Sequence, residues 1–179
     1  MKKKTNFRWV ISTALISFAA SVTFTFASSK VMSGAGYAMA FVVLAAFIAI
    51  GILFDIIGVA VTAASEKPFH SMASHKVRGA LEAVMLIKNA EKVASICNDV
   101  VGDISGIVSG ATAAIIASNL VADTSAWSVV CQLLISGAVA ALTIGGKALG
   151  KATAINRSTK IVLLVGKVVS IRRKFISKR

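Results

Sequence analysis

The sequence predicts an all-α integral membrane protein: a helical bundle of four transmembrane helices with amphipathic juxtamembrane helices on the cytoplasmic side. Three observations carry that prediction. Hydrophobic residues make up 56% of the 179, mean hydropathy is +0.82 and there is a single Pro, far from the balance of a soluble domain. Apolar runs of about 20 residues or more recur along the chain, the length that crosses a hydrocarbon core about 30 Å thick. Lys and Arg, 20 against 7 Asp and Glu, cluster in the segments that would share one side of the membrane.

The first span is read from about Trp9 to Ser28, behind a basic start of Lys2, Lys3, Lys4 and Arg8. A cleaved secretory signal is the rival reading, but signal cores run to about 7–15 residues and end at a small-x-small site, so a retained anchor is preferred. The second span runs from about Tyr37 to Ala64, the third from about Val93 to Val121 and the fourth from about Ala126 to Gly145. The third is the most polar, with Asn98, Asp99, Asp103 and Asn119, and depends on its neighbours for insertion. Three domains follow: 1–36 as anchor and short external loop, 37–165 as the transmembrane core, and 166–179 as a basic cytoplasmic tail.

Basic residues orient this layout. The N-terminal segment, the loop with Lys67, Lys76, Arg78, Lys88 and Lys92, and the tail from Lys147 onward hold all Lys and Arg except Lys30, while the turn between spans three and four carries Asp123 and no base. Both termini are therefore expected in the cytoplasm of a bacterial-type cell, below its plasma membrane. Within the long loop, Met72, Val77, Leu81, Val84 and Ile87 recur at helical spacing from Phe69 to Lys92, interrupted near Gly79, and Pro68 suits a helix start. From Ile155 to Ile176 the tail sets Ile161, Leu164, Val165, Val168 and Phe175 against Lys160, Lys167, Arg172, Arg173 and Lys174, a pattern fitted to anionic lipid headgroups. No aromatic-interleaved basic face accompanies it, so nucleic acid is not an expected partner.

Carboxylates inside apolar spans are the main functional clue. A charge in hydrocarbon costs several kcal/mol on most scales, and it is usually retained where it faces a cavity, a partner or an ion path. At about 1.5 Å of rise per residue, Asp55 lies about 13 Å in from Ala64, and Asp99 and Asp103 lie about 9 and 15 Å in from Val93, which puts all three at one depth. With Asn98 and Ser95 they supply the oxygen donors a hard cation such as Mg²⁺ prefers. The expected metal residues are thus Asp55, Asn98, Asp99, Asp103 and Ser95. Gly102, Gly106 and Gly110, in two GxxxG steps, read as a helix-packing seam. Cys97 and Cys131 read as small buried hydrophobes. His70 and His75, five apart, lack metal-pair spacing, and no nucleophile triad or phosphate-cradling loop is present, so an enzyme is not expected.

Several segments together resemble a known family. The run Phe54-Asp55-Ile56-Ile57-Gly58-Val59-Ala60-Val61-Thr62, the loop residues Arg78-Gly79-Ala80, Cys97-Asn98-Asp99-Val100-Val101 and Gly146-Lys147-Ala148-Leu149-Gly150-Lys151 resemble, in order and spacing, the transmembrane domain of the CorB/CorC and cyclin M (CNNM) magnesium transporters. The resemblance covers roughly residues 37 to 165 and makes span one an addition. It implies a homodimer that holds Mg²⁺ between helices through hydroxyl, Asn and carboxylate oxygens, with Asn98 matching the family asparagine. CBS domains, usual in the family, are not expected here, so nucleotide control would need a separate regulatory protein. Lys147 stands where the family's Gly-Glu-x-x-Pro-Lys element has its acid, Gly150 stands where that element has proline, and Gly58 stands where an acid is common.

Lys147 divides the functional expectations. The first is a membrane protein that binds and transports Mg²⁺ or a related divalent cation. The second is a non-transporting regulator or partner of the same fold, its ion site filled by the Lys147 ammonium. A holin-like pore former is the third, and intramembrane acids argue against it.

Overall fold

A computed structural model describes residues 7–34, 37–120 and 126–176. Lys2, Lys3, Lys4, Asp123, Lys178 and Arg179 lie outside the described residues, and the side chains of Arg8, Asn119, Arg172, Arg173, Lys174 and Phe175 are likewise not described. The described chain is helical, with no strand: α1 Phe7–Gly34, α2 Tyr37–Ala63, α3 Glu66–Ser74, α4 Ala80–Lys88, α5 Ala90–Ala94, a π-helical segment Ser95–Gly102, α6 Asp103–Leu120, α7 Ala126–Asn156 and α8 Ser158–Ile176. Trp9–Ala27, Ala38–Ala63, Ala90–Ser118 and Val129–Asn156 are long and apolar enough to cross a membrane, as a multi-pass membrane protein requires.

Two span boundaries differ from the sequence expectation. The third helix begins at Ala90, ahead of Val93, because α5 runs directly into the π-helical segment. The fourth continues past Gly145 to Asn156. Gly146 and Gly150 serve close approach along this extension. A Cβ on Gly146 would strike the Ile52 side chain, and one on Gly150 would lie 2.8 Å from Ile56 Cγ1, so α7 packs its small residues directly on α2.

The chain divides into two compact units. The first comprises Met1–Ile50 and Asp103–Thr143. In it α1 packs on α6, Ala40 and Leu44 of α2 are buried with Ala113 and Ile116 of α6, and Phe24 meets Phe47 edge-on with ring centroids 5.9 Å apart. Gly106 and Gly110 take no part in this packing, since a Cβ on either would meet nothing within 4 Å. The expected GxxxG seam is therefore not used within the chain at those positions, and Gly146 and Gly150 make the close helix approach instead.

The second unit comprises Gly51–Gly102 and Ile144–Arg179. Its core gathers Ala60, Val61, Ala64, Phe69, Ala83, Val84, Ala154 and Val162, with Phe69, Val61 and Val162 fully buried. The helical spacing read in the loop is real, but its core face is shifted. Met72, Val84 and Ile87 pack on the core as expected, whereas Val77 and Leu81 are exposed and Ala80 and Ala83 point inward. Gly79 causes the shift: it adopts φ +87° just ahead of α4, a left-handed conformation that restarts the helix in a new register. Pro68 sits in the first turn of α3, where its missing N–H costs no hydrogen bond.

Helix α8 docks on α4 through the same glycine. Gly166, buried in α8, faces the Gly79 carbonyl, and a Cβ on Gly166 would also lie 3.1 Å from the Ala83 nitrogen. Val162, Gly166 and Ser170 form the buried face at i, i+4 spacing. Leu164, Val168 and Ile171 lie on the opposite side, 63%, 60% and 43% exposed. The helix runs unbroken across residues 165 and 166.

Candidate functional site

Asp55 and Gly58 lie at i, i+3 on α2, so they share one face with Cβ positions about 5–6 Å apart. The Asp55 residue is only 5% exposed, and its Oδ2 is buried with no hydrogen-bond partner. The volume that a side chain on residue 58 would fill belongs to Asn98. A Cβ on Gly58 would stand 2.7 Å from Asn98 Cγ and 3.0 Å from its Nδ2. Asn98 Oδ1 is, among the described residues, the other buried side-chain oxygen left without a partner. Leaving one such atom unsatisfied costs about 1–3 kcal/mol, so each calls for an explanation beyond packing.

Lys147 approaches from α7. Its Nζ donates to the Gly102 carbonyl at 3.5 Å and lies 3.7 Å from where a Gly102 Cβ would be. Three contacts fix the levels of the helices. Asn98 meets α2 at Gly58, Gly146 meets it at Ile52, and Lys147 reaches Gly102, one turn beyond Asn98. Asp55, midway between Ile52 and Gly58, is thus bracketed along α2 by Asn98 on one side and the α7 register of Lys147 on the other. One carboxyl, one amide and one ammonium come from three helices to one layer of the second unit.

The remaining expected site residues are Ser95, Asp99 and Asp103. Ser95 Oγ donates to Asp99 Oδ2 at 2.8 Å, four residues along the same helix, and Asp99 is exposed. Asp99 is exposed, whereas its neighbour Asn98 is half-buried against α2. Asp103 is exposed at the start of α6 and belongs to the other compact unit. Among the described residues no group of three or more His, Cys, Asp and Glu side chains is placed to hold a metal ion, so the three aspartates do not form one acidic cluster. Equal depth along a helix axis left the angle about that axis open. Outside this layer, His70 Nε2 pairs with Glu66 Oε2 at 3.3 Å along α3, His75 is exposed, and Cys97 is buried while Cys131 is half-buried.

Two features of the layer escaped sequence reasoning. Gly58 is the seat for Asn98, a role signalled only by a glycine three residues after an intramembrane acid. Gly102 belongs to the π-helical segment, where a Cβ on it would lie 3.3 Å from the Cys97 carbonyl five residues back. Such widened turns recur at functional sites. Nothing in the local sequence marks this one. Compared with protein-family models, with curated proteins and with solved structures, the chain finds no match in any of the three.

Proposed function

We propose that the chain is a membrane protein that binds Mg²⁺ or a related divalent cation at Asp55 and Asn98 and moves it across the bilayer. The observation that carries this reading is the pair of buried, unpartnered oxygens, Asp55 Oδ2 and Asn98 Oδ1, at one level of a membrane-spanning unit. Carboxyl and amide oxygens are hard donors. Mg²⁺ commonly keeps several waters and takes one or two carboxylates, which a site of one acid and one amide suits. Resemblance to the CorB/CorC and cyclin M transporters points the same way. The rival reading, a regulator whose ion site is permanently filled by Lys147, calls for an ammonium fixed on a carboxyl, whereas Lys147 Nζ also has the Gly102 carbonyl within reach.

Calorimetry on the purified full chain, comparing Mg²⁺, Co²⁺ and Na⁺, tests the proposal. Wild type is expected to bind a divalent cation, and Asp55→Asn and Asn98→Ala are each expected to abolish that binding and Mg²⁺ flux in liposomes while the protein stays folded. Silence of wild type with all three ions, or unchanged binding by Asp55→Asn, would overturn it.

The Lys and Arg distribution supports a bacterial-type plasma membrane with both termini cytoplasmic, an orientation that reporter fusions at the C-terminus would refute by showing external activity. In that orientation we propose that α8 lies on the anionic inner leaflet. Its exposed Leu164, Val168 and Ile171 would enter the interface while exposed Lys160 and Lys167 meet headgroups. Val168→Trp, in a Trp9→Phe and Trp127→Phe background, is expected to be quenched by brominated lipid, more strongly as anionic lipid is added. Absence of quenching would remove α8 from the bilayer surface.

A further inference from the structure

The Lys147 ammonium has three N–H donors, and the structure shows one of them on the Gly102 carbonyl at 3.5 Å. In the same layer stand two buried acceptors with no donor of their own, Asp55 Oδ2 and Asn98 Oδ1. Lys147 itself is half-buried in a membrane-spanning helix, where an ammonium is costly unless it is paired. A lysine carries its charge on a flexible four-carbon stem, so the head group can change partners while the helix stays in place. Backbone packing leaves α7 little room to shift, because Gly146 and Gly150 rest directly on Ile52 and Ile56. Any exchange at this level is therefore made by the side chain.

We infer that Lys147 is a tethered competitor of the transported cation, alternating between the Gly102 carbonyl and the two oxygens of Asp55 and Asn98. This inference rests on the cation site proposed above. When the cation is bound, Lys147 is held on the Gly102 carbonyl. When the cation leaves, the ammonium moves onto the vacated oxygens, satisfies both buried acceptors and neutralises Asp55. Release is thereby assisted by a charge that never leaves the protein, and the empty site is spared an uncompensated buried carboxylate, which is strongly destabilising. The device also favours divalent over monovalent cations: an ion of single charge offers Asp55 no more charge than the resident ammonium does, and an ion of double charge offers more.

Calorimetric titration of MgCl₂ into the full chain, comparing wild type with Lys147→Met, Lys147→Gln and the double variant Asp55→Asn/Lys147→Met, tests the inference. Both neutral single variants are expected to bind Mg²⁺ about tenfold more tightly than wild type, the factor that follows if the ammonium holds the oxygens about nine-tenths of the time in the ion-free protein. The double variant is expected to show no binding. Neutral variants that bind as wild type does, or more weakly, would overturn the competitor role and leave the cation site standing. So would a gain in affinity that survives Asp55→Asn, or loss of folding in both neutral variants, which would make Lys147 a structural tie to Gly102. No binding by wild type or by either neutral variant would overturn the cation site itself, and this inference with it.

Discussion

Gly58→Ala is expected to weaken cation binding at least about tenfold while leaving the protein as stable as wild type or slightly more so. The new methyl would stand 2.7 Å from Asn98 Cγ and 3.0 Å from Asn98 Nδ2, so the amide must leave its seat on α2. What it strikes is the end of a side chain, which can rotate away at small cost. The helix gains up to about 1 kcal/mol when Ala replaces Gly in its interior. Folding and binding therefore part company. Displacing Asn98 removes one of two proposed ligands, for which at least about a tenfold loss in affinity is expected, or about 1.4 kcal/mol. Thermal unfolding and calorimetry on the same sample would check both halves. Unchanged Mg²⁺ binding by a folded Gly58→Ala variant would remove Asn98 from the site.

The same substitution at Gly79 is expected to do the opposite and destabilise the second unit. Gly79 has φ +87°, and a Cβ there would lie 2.5 Å from the Lys167 nitrogen and 2.8 Å from the Gly166 carbonyl carbon. Both neighbours are backbone and cannot rotate aside. A left-handed conformation costs an L-residue about 1–2 kcal/mol, and overpacking adds about 1–3 kcal/mol. Gly79→Ala should therefore cost about 2–5 kcal/mol if the two add. The loss should appear as undocking of α8 from α4. A lowered unfolding temperature with early tryptic cleavage in the 158–176 segment would register it. Wild-type stability would mean that the α4–α8 crossing is looser than its geometry states.

The contrast between these glycines shows where sequence reading stops. Gly58 lies inside an apolar span and Gly79 follows Arg78 where the helical spacing breaks, yet neither spacing nor hydropathy says that the first seats a side chain and the second admits a backbone. The tail shows the same limit. Its apolar residues were legible, and Leu164 and Val168 are exposed. The second buried face of Val162, Gly166 and Ser170 was not, because glycine and serine carry no hydrophobic signal and are buried here by the close approach of α4. Part of the site was visible in advance. Asp55 and Asn98 stand out as polar residues in apolar spans, and Lys147 as a base near the end of another. Asp99 and Asp103 stood out equally by that criterion, and they lie exposed.

By itself the sequence determined the all-helical class and the four apolar helices, because apolar length is a property of a single helix and needs no partner. The tertiary structure alone decided which polar residues face one another. Rotation about the helix axis is set by contacts between helices: Gly146 and Gly150 of α7 on Ile52 and Ile56 of α2, Asn98 in the space above Gly58, and the π-helical turn that presents the Gly102 carbonyl to Lys147. Close packing chooses that angle through the shapes of the side chains that meet, and those pairings are written in no single stretch of the chain.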